Sequence, residues 1–252
     1  MTYFYSLPNY DAMSKKAAAI LAAQVIMKPT SVLGLATGSS PEGMYAELAR
    51  MCAEGLVTFS KARSFNLDEY VGLAPLHEQS YRYFMNKNFF LKVDMPAKNS
   101  ALPNGLAADI PAECEQYDKS IEAAGGIDLQ VLGLGRNGHI GFNEPGDCFI
   151  PGTHCVTLAP STIEANSRFF ASADEVPRQA LSMGIRSIMN ARKILLLAAG
   201  SVKAEILERA FFGPITPQVP ASILQLHPDV TLCGDADAMA KIADLHPEVL
   251  SV

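Results

Sequence analysis

The sequence predicts an α/β protein built on an open, mostly parallel, doubly wound sheet with helices on both faces. Two observations carry that prediction. Largely apolar runs of strand length, at 31–36, 127–134 and 193–199, alternate with segments whose Ala, Ile, Leu and Val recur at helical spacing. Strands without polar alternation are buried on both faces, as in a parallel sheet covered by helices. Each run also feeds a glycine-bearing turn, where α/β proteins place their chemistry.

Taken in order, residues 11–28 form an apolar-periodic helix, with Asp11 as cap and Pro29 ending it. The strand 31–36 leads into Thr37-Gly38-Ser39-Ser40-Pro41. Ser40 suits a cap and Pro41 the first helical position, so a helix is expected over 42–54, stopped by Gly55. A short strand at 64–67 ends in Asp68-Glu69-Tyr70, and an aromatic helix follows at 80–91. A helix at 111–124 ends at Gly125-Gly126 and precedes the strand 127–134. The strand 193–199 turns through Gly200-Ser201-Val202-Lys203 into a helix reaching Phe212, and a last strand occupies 230–233. Strand order is not legible from these patterns.

With 252 residues, 49% of them hydrophobic and 18% charged, the chain can bury a large core; lacking repeats and low-complexity linkers, it reads as one domain over 1–252. A net charge of −6 with no Lys/Arg run argues against nucleic acid as a partner. An anionic small molecule would need locally placed cations or backbone amides. Residues 1–10 lack the pattern of a signal peptide, and no apolar run approaches ~18 residues, so a soluble, cytoplasmic protein without membrane association is expected. Five scattered cysteines (Cys52, Cys114, Cys148, Cys155 and Cys233) without a CxxC pair are expected to be reduced and mostly buried. No His/Cys or carboxylate cluster suggests a metal.

Parallel sheets bind ligands beyond the carboxyl ends of their strands. Four of these ends carry unusual residues: Thr37-Gly38-Ser39-Ser40, Asp68-Glu69, the turn after 134, and Gly200 to Lys203. All four are expected on one rim. Thr37 to Ser40 is either an anion site at a helix N-terminus or an ordinary cap. Lys203, in a first helical turn, opposes the macrodipole unless an anion lodges there. Asp68 and Glu69 are adjacent, so in an extended segment they point to opposite faces: one can face the rim as a base while the other is structural. His139 lies five residues before Glu144 in a non-helical turn, where a carboxylate can orient the imidazole. Gly133-x-Gly135-x-x-Gly138 matches a dinucleotide fingerprint, but His139, Gly141, Pro145 and Gly146 cannot continue as the helix that fingerprint needs. His77, His154, His227 and His246 read as structural or surface residues. Anion anchoring plus proton transfer suits an aldose–ketose-type or hydrolytic step on a small phosphorylated molecule.

Five blocks resemble the glucosamine-6-phosphate deaminase family in the right order. They are 35–41 (Leu-Ala-Thr-Gly-Ser-Ser-Pro), 65–73 (Phe-Asn-Leu-Asp-Glu-Tyr-Val-Gly-Leu), 133–146, 165–170 (Ala-Asn-Ser-Arg-Phe-Phe) and 220–228. The resemblance implies a Rossmann-like fold of the sugar-phosphate isomerase type. It also implies cofactor-free conversion of glucosamine 6-phosphate and water to fructose 6-phosphate and ammonia, in amino-sugar catabolism. By the same likeness His139, supported by Glu144 and Asn137, assists ring opening, and Asp68 moves a proton from C2 to C1. Thr37, Gly38, Ser39, Ser40, Arg168 and Lys203 hold the phosphate; Arg168 comes from the resemblance alone. Some family members carry aspartate in place of Asn137, so Glu144 must supply the charge beside the histidine here. A mobile lid is implied over about 150–177. Members activated by N-acetylglucosamine 6-phosphate carry basic residues where this chain has Thr153-His154-Cys155-Val156, so activation is expected to be weak or absent. Monomers and homo-oligomers are both compatible with the family. Alternatives are the same chemistry on galactosamine 6-phosphate, a 6-phosphogluconolactonase-like hydrolase, and a non-catalytic sugar-phosphate sensor. The last should have lost the proton-transfer groups.

Overall fold

The computed structural model describes residues 2–158, 163 and 175–250. Its centre is a seven-stranded sheet in the order β1-β10-β9-β6-β2-β3-β5. The strands are β1 (Thr2–Leu7), β2 (Val32–Leu35), β3 (Arg63–Asn66), β5 (Ser100–Ala101), β6 (Leu129–Gly133), β9 (Ile194–Ala198) and β10 (Val230–Asp235). Every pairing in this sheet is parallel. β2 and β9 are buried along their whole length, as their unbroken apolar sequence requires. The principal helices are α1 (Tyr10–Met27), α2 (Ser39–Ala53), α3 (Tyr81–Asn88), α4 (Ile110–Ala123), α5 (Ile185–Met189), α6 (Ala204–Phe212) and α7 (Ala236–Leu245).

The strand order reverses between β2 and β6. From β2 the chain proceeds outward through β3 and β5; from β6 it proceeds the other way through β9 and β10. A doubly wound sheet opens its crevice at such a switch point, beyond the carboxyl ends of the strands. The loop carrying Thr37 to Ser40 and the turn carrying His139 leave β2 and β6, the two strands flanking that point.

A second sheet, antiparallel and three-stranded, has the order β4-β8-β7, with β4 Asp68–Tyr70, β7 His154–Thr157 and β8 Gln179–Ser182. The sequence pattern misses it because its strands are short and polar in part. Asp68-Glu69-Tyr70 is therefore not the tail of β3 but a separate strand entered through Leu67. Within the expected lid, 154–157 is strand β7; residues 159–162 and 164–174, Arg168 among them, lie outside the described residues.

Other boundaries differ for local reasons. The cap of α1 is Asn9, whose side chain accepts from the Ala12 amide, while Asp11 sits inside the first turn and pairs with Lys15. α2 begins earlier than predicted, with Gly38 at φ +89° before it, so Ser40 and Pro41 lie in its first turn. β1 and α7 extend the fold beyond the predicted elements; Asp235 caps α7 by accepting from Ala238. All five cysteines are free thiols, and Cys148 and Cys155 are exposed rather than buried. Of the remaining histidines, His227 is buried with a ring nitrogen 2.8 Å from the Ala191 carbonyl, and His246 stacks on Phe212.

Carboxylates divide by sheet end. At the amino ends, buried Asp128 accepts from Lys28 Nζ, Arg192 Nη1 and the Val32 amide at 2.8–2.9 Å. Burial works against its ionisation, but those hydrogen bonds and the two cations outweigh burial and hold the carboxyl below its usual range. This carboxylate is fully committed to joining α1, β2 and β6. The carboxylate with an unpartnered oxygen among the described residues, Asp68, is at the other end.

Candidate active site

β4 sorts its two carboxylates by strand alternation. Glu69 accepts from the amides of Tyr70, Tyr81 and Arg82, each at 2.9 Å, and so fastens the N-terminus of α3 to the strand. Asp68 points the other way. It is 6% exposed, and its Oδ1 has no hydrogen-bond partner among the described residues. Burial, with a smaller contribution from the charge of Glu69, pushes its carboxyl up to about 8. An unpaired buried carboxyl is destabilising, and groups perturbed in this way cluster at functional sites.

The turn after β6 supplies the second ionisable group. Gly138 at φ +89° and Gly141 at φ +59° bend the backbone into a form no helix adopts. A Cβ on Gly135 would come within 2.4 Å of the His139 ring, so the missing side chain makes room for the imidazole. His139 Nδ1 stands 3.5 Å from Glu144 Oε2, just beyond hydrogen-bond reach. The same Glu144 oxygen accepts from Asn137 Nδ2 at 2.7 Å, and Asn137 Oδ1 accepts from the His139 amide at 3.2 Å. Asn137 thus aims the carboxylate and ties down the histidine backbone. It adds no charge of its own.

Backbone proximity joins these groups. A Cβ on Gly141 would lie 3.7 Å from Asp68 Oδ2, so the histidine turn rests directly over the β4 carboxylate. Beside them Tyr81 stacks on Phe142 with ring centroids 6.0 Å apart, forming an apolar wall.

The anion cradle lies on the other flank of β6. Gly38 offers no side-chain cap, leaving the first amides of α2 to an outside acceptor. The side chain of Ser40 reaches to 4.0 Å of where a Cβ on Gly133 would be, placing this helix end against the end of β6. Lys203 comes from the turn after β9, which Asp235 fixes by accepting from the Gly200 amide at 3.0 Å. Its Nζ donates to the Leu134 carbonyl at 2.6 Å. Burial, and secondarily the charge of Arg136, lowers its pKa to about 8. An anion between these cations would reverse that depression. Arg136 was not singled out by sequence reasoning; its position one residue before Asn137 was the available signal.

The four predicted rim segments therefore adjoin one another, with Asp68, Asn137, His139 and Glu144 on one side and Thr37 to Ser40 with Lys203 on the other. Among the described residues no group of three or more His, Cys, Asp or Glu side chains could hold a metal ion, and no helix is long and apolar enough to cross a membrane.

A switch point of a doubly wound sheet thus gathers a buried carboxyl, an imidazole beside a second carboxylate, a lysine and an uncapped helix start, groups of the kinds that move protons and hold anions. Residues 9–232 match the glucosamine-6-phosphate isomerase/6-phosphogluconolactonase family, and the chain belongs to that family. A glucosamine-6-phosphate deaminase of Lachnoclostridium phytofermentans is 58% identical over 224 residues, 89% of this chain and 95% of that one. One from Clostridioides difficile is 55% identical, covering 93% of this chain and 94% of its own. In structure the chain superimposes on a monomeric glucosamine-6-phosphate deaminase with a TM-score of 0.92 at 44% identity, over 95% of this chain and 99% of that one. A 6-phosphogluconolactonase of Thermotoga maritima, at 20% identity and a TM-score of 0.70, shares the fold.

One consequence is thermodynamic. The Asp68 carboxyl has its folded pKa raised above the unfolded value, so its contribution to stability is intact below pH ~4 and is lost as pH rises through about 8. Asp68→Asn removes that penalty. Its melting temperature should match wild type near pH 4 and exceed it by several degrees at pH 8–9 in calorimetric scans; a constant difference across that range would contradict the assignment.

Proposed function

We propose that the chain is a glucosamine-6-phosphate deaminase, converting glucosamine 6-phosphate and water to fructose 6-phosphate and ammonia. The observation that carries this reading is the Asp68 carboxyl, buried, lacking a partner at Oδ1 and directly beneath the His139 turn. A lactonase or a sensor has no need of such a base.

In this reading the phosphate lies against the amides and hydroxyls of residues 37–40 and the ammonium of Lys203; Arg168 joins them by family resemblance. His139 moves a proton from the anomeric hydroxyl to the ring oxygen, opening the pyranose. Glu144, aimed by Asn137, stabilises the imidazolium that forms in passing. Asp68 then takes the C2 proton of the open-chain aldehyde, giving an enolamine, and returns it to C1. Water adds at C2, ammonia leaves, and the C2 ketone remains. The C2 proton ends on C1 and the anomeric proton on the ring oxygen, Asp68 and His139 finish as they began, and the reduction at C1 balances the oxidation at C2, so no redox cofactor is consumed.

The decisive experiment incubates purified protein with glucosamine 6-phosphate and measures ammonia and fructose 6-phosphate together; both should appear in equal amounts. Asp68→Asn should lower turnover by roughly 10²–10⁴-fold and abolish deuterium exchange at C2. A variant with near-native turnover removes Asp68 from its role.

Lys203→Ala should act on affinity instead, raising KM by roughly 30-fold, about 2 kcal/mol, with kcat changed far less. An unchanged KM would return Lys203 to a purely structural tie on Leu134.

The segment around His154 gives no support for activation by N-acetylglucosamine 6-phosphate. Burial holds His154 below its usual pKa despite a hydrogen bond to the Gly152 carbonyl, and the adjoining cavity is also lined by Glu115 and Asp118. A phosphate there would meet carboxylates and a neutral imidazole. Saturation curves with and without the acetylated sugar should superimpose; a marked leftward shift is the contrary result.

A further inference from the structure

Resting on that reading, we propose that Ser182 is a positioning residue for the reaction, its hydroxyl holding the histidine turn at a set height above the carboxyl of Asp68. Three observations converge on it. Ser182 lies on β8 directly opposite Asp68 in the antiparallel ladder. Opposed residues of an antiparallel pair present their side chains on the same face. Ser182 is completely buried, and its Oγ accepts from the Phe142 amide at 2.9 Å, in the turn between His139 and Glu144. A Cβ placed on Gly141 would stand 3.1 Å from that Oγ and 3.7 Å from Asp68 Oδ2, so the turn backbone lies upon both side chains at once.

The hydroxyl is thus a strut between the strand that carries the C2 base and the turn that carries the ring-opening histidine. A second tie, Asn143 Nδ2 to the Met183 carbonyl at 2.9 Å, anchors the far side of the turn one residue past the end of β8. Without Oγ, the Phe142 N–H is buried without an acceptor and the turn shifts to find one. Ser182 touches no reacting atom. It acts through the spacing of Asp68 and His139, to which proton transfer is steeply sensitive: misplacement by about 1 Å can cost ~10²-fold in rate. The phosphate anchors sit on other strand ends and do not depend on it.

The test compares Ser182→Thr with Ser182→Val, which share a shape and differ in the hydroxyl. Wild-type protein must first produce fructose 6-phosphate and ammonia. The Thr variant is expected to hold kcat near wild type. The Val variant should lose roughly 30-fold in kcat, with a parallel loss of C2 deuterium exchange and little change in KM. Equal kcat in the two variants, or a defect confined to KM, overturns the proposal. If the Val variant does not fold, Ser182→Ala takes its place with the same expectations. Amide exchange at Phe142, followed by NMR, separates this inference from the functional reading. Faster exchange in Val than in Thr supports the strut even if wild type proves inactive on glucosamine 6-phosphate, whereas equal exchange refutes it.

Discussion

Two neighbouring carboxylates on a three-residue strand are given opposite fates, and the site depends on that separation. Strand alternation sends Glu69 to one face, where three amides satisfy it, and Asp68 to the other, where Oδ1 has no partner among the described residues. Were both satisfied, there would be no base; were both bare, burial and their mutual repulsion would push the carboxyls toward their protonated forms. Glu69 secures α3, and α3 brings Tyr81 against Phe142, which helps keep the neighbourhood of Asp68 dry. The charge-starved state of Asp68 is thus maintained by the charge satisfaction of the residue beside it.

Lysine follows the same logic with the opposite sign. Lys203 is held by a carbonyl instead of a carboxylate, and a second cation lies nearby. Neither interaction neutralises it, so its electrostatic demand is left for a bound anion. The base and the phosphate anchor are both kept short of partners by the fold, while Asp128, at the far end of the sheet, is saturated. Saturation builds the scaffold and deficit marks the crevice.

How much of this could be read in the sequence follows from range. The central strands were legible because continuous apolar runs have few other uses, and the strand-end position of each polar cluster followed from them. Opposite fates for Asp68 and Glu69 were legible from alternation alone, though not which residue took which. The second sheet was not legible, since β7 and β8 carry His, Cys, Thr, Gln and Ser in runs too short to show a period. Ser182 was invisible for a deeper reason: its place opposite Asp68 is a matter of register between strands more than a hundred residues apart. That Asn137 joins Glu144 in supporting His139 came only from family resemblance, and their mutual hydrogen bond was not legible, because no local spacing rule governs an irregular turn.

The pairing of β1 carries a consequence for how the chain is made. β1, at Thr2–Leu7, forms its ladder with β10, at Val230–Asp235, and bridges Leu250 through Phe4. β1 must therefore wait, its polar backbone unpaired, until the far later β10 has emerged. Closing so long a loop is an entropic barrier that local helix formation cannot lower. The crevice strands β2, β6 and β9 are complete before that closure, so the site can take shape around an edge still unfinished. The two halves of the doubly wound sheet are joined at β2 and β6, so the pairing of β1 with β10 completes only the outer edge of one of them.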